Sequence, residues 1–218
     1  MHLPNGSQIF IGSTLGAEIE ATNVSNAADP VFSVASTSGV TVGQYVLVTS
    51  AAWGRLLDRV LRVKAVSEDV SVTLEGIDTT NANVFPTGTN PASFRPVTAW
   101  TEIPCVQDIG QDGGEQQYYT YQCLSDDQEQ QLPTFKSAVS LTYSFAHEFD
   151  NAIYPILRGL DESGEVTPLR MFVPKAKEMR LWAGVLSFND IPQTQVNEME
   201  TVSLSVSLKG KFTYLASE

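Results

Sequence analysis

Residues 201–214, TVSLSVSLKGKFTY, decide the fold class because their side chains alternate between apolar and hydroxyl-bearing types. Successive side chains of a β-strand leave on opposite faces, so the alternation predicts a strand with one buried side. The apolar side consists of Val202, Leu204, Val206, Leu208, Phe212 and Tyr214. The other side is a row of short hydroxyls without charge before Lys209, on a strand longer than the roughly five or six residues usual in globular proteins. The stretch therefore predicts a β-rich fold in which one long strand has a wetted face.

The same alternation appears in residues 137–145, SAVSLTYSF. One face carries Val139, Leu141, Tyr143 and Phe145. The other face carries Ala138, Ser140, Thr142 and Ser144. Two strands of one character indicate neighbours in one sheet whose outer faces are both hydroxyl-rich.

Composition sets limits on the function. The chain has 218 residues and 42% hydrophobic residues, enough for one large β domain or two smaller ones. Its formal net charge of −12 makes a tight grip on DNA, RNA or anionic lipid unfavourable. No apolar run approaches the roughly twenty residues that span a bilayer, and the start lacks the features of a signal peptide. We expect a soluble cytoplasmic chain, in which Cys105 and Cys123 are ordinary buried small residues.

Turn signals divide the chain into three regions. Residues 1–30 read as a strand followed by a loosely held arm, residues 14–29, and residues 31–97 read as a small all-β domain. Residues 84–96, with three prolines, predict an irregular link into a larger β domain at 98–218. Within that domain, apolar spacing predicts one amphipathic helix near 147–163, which begins at Tyr154 or kinks there because of Pro155.

The sequence contains no phosphate-binding, nucleophile-elbow or zinc-protease motif. Its two histidines, His2 and His147, leave almost no material for a His-based triad or for a zinc site with two or three His ligands, and His147 is expected to serve at the helix start. Residues 108–115, DIGQDGGE, do not fit a calcium loop. The carboxylates of Asp126, Asp127 and Glu129 could act as an acid and base or bind a cation, although a solvated loop is favoured. We therefore expect no enzyme activity, no cofactor and no metal site.

Four stretches of the chain carry a family resemblance: residues 42–80, 85–103, 113–138 and 197–214. They contain a Trp-Gly-Arg turn, an LEGIDTT strand end, a Gly-Gly-Glu turn and the long alternating strand described above. Together they resemble the tail tube, or major tail, proteins of long-tailed bacteriophages of the siphophage type. The resemblance implies an antiparallel β-sandwich with one flanking helix, assembled as hexameric rings stacked into a tube.

The resemblance also implies partners and locations. The tube would enclose the tape measure protein and later carry DNA without specific binding, and it would meet the tail terminator and tail tip proteins. The subunit would be made in the host cytoplasm, would have no membrane partner and would end in the virion tail. Residues 31–97 are additional to the smallest members of that family and would form an inserted domain on the outside of the tube.

If the chain forms such a tube, the hydroxyl-bearing faces of these two strands would line its bore, since a strand with one solvated face suits the wall of a water-filled channel. The predicted lumen-facing residues are Ala138, Ser140, Thr142, Ser144, Ser203, Ser205 and Ser207. Contacts between rings are expected from the polar loop 125–134, the arm 14–29 and the tail end 215–218. The candidates for these contacts are Glu18, Glu20, Asp126, Asp127, Gln128, Glu129, Gln130 and Gln131.

A second function remains open on the residues alone. A carbohydrate-binding or adhesion module of β-sandwich type would present exposed aromatic side chains as stacking platforms. The available candidates are Trp53, Trp100, Trp182, Tyr118, Tyr119 and Tyr121.

Overall fold

A computed structural model describes residues 5–217, so His2 and Glu218 lie outside the described part. The described strands are β1 (Gln8–Leu15), β2 (Ile19–Val24), β3 (Val31–Val34), β4 (Tyr45–Ala51), β5 (Val60–Ser67), β6 (Ser71–Glu75), β7 (Ala92–Glu102), β8 (Val106–Gly113), β9 (Gln116–Tyr121), β10 (Gln130–Lys136), β11 (Val139–Ala146), β12 (Val166–Val173), β13 (Glu178–Gln193) and β14 (Thr201–Ala216). The helix α1 spans Ile153–Ser163, and a single 3-10 turn spans Pro174–Ala176. The predicted mainly β, antiparallel fold with one helix is confirmed.

All strands except β9 and β10 belong to one sheet, in the order β2-β3-β6-β5-β4-β7-β1-β12-β13-β14-β11-β8. Strand β2 also pairs with β7, so the first six strands of that order close into a barrel. The barrel has its own core, in which Phe32 and Phe94 are fully buried and pack edge to face at 5.7 Å between ring centroids. Closure removes the open edge that β2 would otherwise present.

The other six strands of the sheet, in the order β1-β12-β13-β14-β11-β8, enclose a second core together with helix α1. One buried cluster joins Ile9 of β1, Leu169 of β12 and Leu204 of β14 with Leu157 of the helix, so the sheet folds into two layers. The helix begins at Ile153, one residue before the predicted Tyr154, and Pro155 is tolerated as its third residue because backbone amides in the first turn have no intrahelical partner. Gly164 ends the helix in the left-handed conformation with φ of 61°.

The barrel is packed firmly onto this sandwich. A third apolar cluster joins Leu47 and Val60 of the barrel to Leu181 and Ala183 of β13. Strand β7 contributes to both parts, because Ala92–Pro96 pair within the barrel and Val97–Glu102 pair with β1. The two parts are thus joined by a shared strand and a shared core.

The predicted loosely held arm is wrong. Residues 14–29 include the end of β1 and all of β2, in which Ala21 and Val24 are buried in the barrel core. The polar residues between them suggested a connector, but strand pairing with β3 and β7 supplies the order that local composition did not indicate.

Three further predictions are wrong in part. The link 84–96 is irregular only to Pro91, since β7 begins at Ala92. Pro96 within β7 has no backbone N–H to donate, but its carbonyl accepts a hydrogen bond from the Gly16 amide. The loop 125–134 ends earlier, because β10 begins at Gln130. Both cysteines are exposed, since they follow strand ends in turns and Cys105 has φ of 44°.

Candidate functional site

The six predicted hydroxyl-bearing positions lie directly opposite one another on β11 and β14. Their register partners are Ser140 with Ser207, Thr142 with Ser205, and Ser144 with Ser203. Directly opposite residues in an antiparallel pair share a face, so the structure brings all six together. Each is exposed or half-buried, and Ala138, just before β11, is exposed. We call this surface the hydroxyl face.

The hydroxyl face continues onto two strands that sequence reasoning did not assign to it. On β8, Asp108, Gly110 and Asp112 are the partners of Ser144, Thr142 and Ser140. On β13, the exposed Ser187 and Asn189 are the partners of Ser205 and Ser203. The period-two pattern in DIGQD was the available signal, but the glycines around it indicated a turn.

The reverse side of β11, β13 and β14 is the sandwich core, whereas Ile109 and Gln111 on the reverse side of β8 are exposed. Tyr143, Phe145 and Leu204 are each no more than 1% exposed. The phenol of Tyr143 lies beside the Trp182 indole, and burial raises its pKa well above the usual value. The apolar backing fixes which side of the sheet can face water, because a one-residue slip would bury the hydroxyls.

The charges on and around the hydroxyl face are arranged in two groups. Asp108 and Asp112 are exposed on β8. Lys209 and Lys211 follow Ser207 on β14, where Gly210 lies against the backbone of Asp58 in the barrel. Lys209 acts electrostatically on Asp58, whose pKa is raised by burial and drawn back by this lysine. The six hydroxyl positions themselves form an uncharged strip between these groups.

The four-stranded layer has two open backbone edges within the described residues. Strand β8 pairs only with β11 and is the last strand of the sheet. Strand β13 pairs with β12 no further than Val185, so its last eight residues have β14 on one side and no strand on the other. Open edges on both sides of one layer are the geometry for joining to further strands from other copies.

The hairpin β9–β10 projects away from the sandwich. It forms a separate two-stranded sheet, and every residue of β10 is exposed. Tyr119 and Tyr121 stack at 6.4 Å between ring centroids, and Leu132 and Phe135 are more than half exposed. A hairpin without a core of its own is marginally stable alone, so this element is suited to packing against another molecule.

Comparison with protein families gives one decisive match. The sequence model of the phage tail tube protein family, TTP, matches residues 51–217. The chain belongs to the phage tail tube protein family. The predicted resemblance is confirmed, and the protein is a structural component of a phage tail. Comparison with curated proteins gave no match.

The matched region of this tail tube family member includes the predicted loop candidates. Asp127, Gln128 and Glu129 are exposed in the turn between β9 and β10, and Asp126 is half-buried there. Gln130 and Gln131 are the first residues of β10, paired with Tyr121 and Thr120. The hairpin therefore carries six of the predicted contact residues at its far end.

Glu18 and Glu20 lie elsewhere, on the barrel. The Glu18 carboxylate accepts a hydrogen bond from the Thr49 hydroxyl, and Glu20 pairs with Ser93 across β2 and β7. They are therefore separate from the hairpin group.

The aromatic platforms required by a carbohydrate-binding module are not assembled. Trp53 and Trp182 are 5% and 2% exposed and belong to different cores. Trp100 is half-buried against Tyr45, so the exposed aromatics among the candidates are Tyr118 and Tyr119 on the hairpin.

Among residues 5–217, no helix has the length and hydropathy needed to cross a bilayer.

Proposed function

We propose that this tail tube protein assembles as hexameric rings that stack into a tube, with the hydroxyl face lining the bore. The observation that carries the proposal is a four-stranded layer with an uncharged hydroxyl strip, two open edges and an apolar reverse side on β11, β13 and β14. The proposed lumen-facing residues are Ala138, Ser140, Thr142, Ser144, Ser203, Ser205 and Ser207, and from their register partners we add Asp108, Asp112, Ser187 and Asn189 to this proposal.

Ring closure would proceed through the two edges. The edge of β8 in one copy would meet the edge of β13, beyond Val185, in the next. Such a contact joins different surfaces of identical subunits, so it closes into a ring when the rotation between neighbours allows it. Closure would satisfy backbone groups that a free subunit leaves to water.

The bore chemistry suits passage of DNA. DNA carries one negative charge per roughly 1.7 Å of axis, so a cationic bore would hold it through many phosphates. Short neutral hydroxyls with Asp108 and Asp112 offer no such contacts. The tape measure protein would occupy the bore before DNA, and tail terminator and tail tip proteins would bind the tube ends.

Contacts between rings are assigned to the hairpin, with Asp126, Asp127, Gln128, Glu129, Gln130 and Gln131 at its far end. Glu18 and Glu20 are proposed as contacts from the barrel. The barrel, including residues 31–97, would lie on the tube exterior. The tail end 215–218 is a further candidate. Subunits would remain in the host cytoplasm until an initiation complex recruits them, and no enzymatic activity is proposed.

Electron microscopy of the purified protein tests the proposal. Negative-stain images, recorded with and without tail initiation components, should show rings or tubes. Cysteine labelling at Ser140, Ser205 and Ser207 in a Cys105→Ser, Cys123→Ser background should then be fast in subunits and slow in tubes for a bulky maleimide. Persistent monomers under both conditions would contradict the ring assembly.

A further inference from the structure

Arg170 of β12 is a cation without an anion. Its guanidinium carbon lies 4.5 Å from the ring centroid of Phe10, 4.6 Å from that of Trp100 and 5.5 Å from that of Tyr45. Among residues 5–217, the ion pairs are made by Arg62, Lys64, Arg158 and Arg180, and none involves Arg170. Its Nε is buried and has no hydrogen-bond partner.

The nearby carboxylates are engaged elsewhere. Glu102 of β7 accepts a hydrogen bond from Gln8. Phe10 of β1 is the register partner of both Glu102 and Arg170, so it lies between them across the three strands. Glu75 pairs with Arg62. Burial lowers the pKa of Arg170, while the neighbouring Tyr45 hydroxyl acts in the opposite direction.

Arg170 borders a surface cavity of about 350 Å³. Its other walls include Gln8, Phe172, Met179 and Arg62, the last of which is paired with Glu75. Three aromatic rings contact the guanidinium and restrict its motion, and Arg170 itself lines the cavity. The cavity exceeds the size of a single water and can take a side chain.

The matching anions occur on the hairpin. Its turn carries Asp126, Asp127 and Glu129, of which Asp127 and Glu129 have no partner among the described residues. Leu124 in the same turn is fully exposed. An acidic, partly apolar tip and a cavity lined by two arginines, of which, within residues 5–217, only Arg62 has an anionic partner, and by apolar side chains are complementary in charge and chemistry.

We propose that the Arg170 cavity is the socket that receives a carboxylate from the hairpin turn of a second copy in the adjoining ring. The inference rests on the proposed stacking of rings and names the surface on which the hairpin docks. Guanidinium and carboxylate would form a charge-assisted pair that is desolvated by the aromatic walls and by Leu124.

Photo-crosslinking tests the socket without altering Arg170. A benzophenone amino acid at Leu124 should, in assembled tubes, crosslink to peptides containing Phe10, Phe172 or Met179, and should not do so in free subunits. Tubes whose crosslinks lie only outside these segments would overturn the socket while leaving ring stacking intact. Wild-type protein that forms no tubes would instead overturn the proposed function on which the inference rests.

A double-mutant cycle gives a second, independent measure. Arg170→Met and the triple change Asp126→Asn, Asp127→Asn, Glu129→Gln should each raise the critical concentration for tube formation about tenfold or more, as expected for truncating a buried charge pair between partners. Combining them should add little, because both remove one interaction. Fully additive effects in tubes that still form would overturn the proposal.

The control variant Glu68→Gln, Glu162→Gln, Glu165→Gln removes the same number of charges from other exposed positions. It should leave the critical concentration within about twofold, since surface charges away from an interface contribute little. Thermal unfolding of each free subunit checks that the variants fold. If Arg170→Met fails to fold, Arg170→Gln, which removes the charge but keeps a hydrogen-bonding side chain in the cavity, replaces it in the cycle.

Discussion

Gly210 shows how one residue joins the two parts of the molecule. It has φ of 62°, and a Cβ at this position would lie 2.5 Å from the carbonyl oxygen of Asp58. Next to it, Arg59 donates hydrogen bonds to the Phe212 carbonyl and the Thr213 hydroxyl. Only glycine allows β14 to approach the barrel this closely.

We expect Gly210→Ala to destabilise the subunit by about 2–4 kcal/mol, because left-handed backbone strain and a clash with backbone act together. Urea unfolding would measure the change. Gly159→Ala is the matched control, since Gly159 is helical and a Cβ there meets open space. That change should stabilise by up to about 1 kcal/mol. Equal stabilities of the two variants would contradict the proposed close approach.

Tyr143 makes stability depend on alkaline pH. Burial raises the pKa of Tyr143, so the folded state keeps the phenol neutral at pH values where the unfolded chain ionises, near the usual tyrosine pKa of 10.0. The resulting stability is fully present below pH about 10 and is lost as pH rises toward the folded-state pKa. Tyr143→Phe should therefore lose less free energy of unfolding between pH 9 and pH 11 than the wild type. Identical pH profiles would show that Tyr143 ionises freely in the folded state.

At the scale of the strand, the hydroxyl face should tolerate a long cation in folding but not in function. Ser205→Arg places six guanidinium groups in each proposed ring, and we expect normal folding, intact tubes and slowed DNA ejection, because arginine binds phosphate. Ser33→Arg, at an exposed position of barrel strand β3, is the matched control and should eject normally. Ejection timed by dye release from intact virions measures both. Unchanged ejection with Ser205→Arg would remove this residue from the bore.

The hairpin should be dispensable for folding. Glu115 and Ser137 at its base are hydrogen-bonded to each other in both directions, so an Asn-Gly turn can replace residues 116–136. We expect the free energy of unfolding to change by no more than about 1 kcal/mol, because surface changes without core contacts contribute little. Tube formation should be lost. Normal tubes from this variant would show that the hairpin makes no essential contact between rings.

At the scale of the whole molecule, the barrel and sandwich should unfold together, since they share β7 and an apolar interface. Phe94→Ala in the barrel and Leu204→Ala in the sandwich remove fully buried side chains. They should lower stability by about 3–5 and 2–5 kcal/mol respectively. Each should shift one common transition, followed by circular dichroism and by tryptophan fluorescence. Separate transitions for the two variants would show that the parts are energetically independent.

The sequence was most informative where one strand face is buried and the other wet. The alternation in β11 and β14 predicted both strands and their faces, because register is strongly specified there. It failed for β8 and β2, whose glycines and polar residues resemble turns and which are held by strand pairing. Barrel closure between β2 and β7 could not be foreseen, since such pairing depends on residues some seventy positions apart.

The pairing of Leu15 with Val97 has a practical consequence. The chain leaves the sandwich for the barrel at one of these residues and returns at the other, and the two are neighbours across adjacent strands. This junction is therefore a natural attachment point, at which the barrel could be exchanged for another folded module with closely spaced termini. The replacement module would need an apolar surface that covers Leu181 and Ala183 of the sandwich. Otherwise these two sandwich residues would have to be changed to polar ones. The same junction offers protein engineers a site for displaying foreign domains.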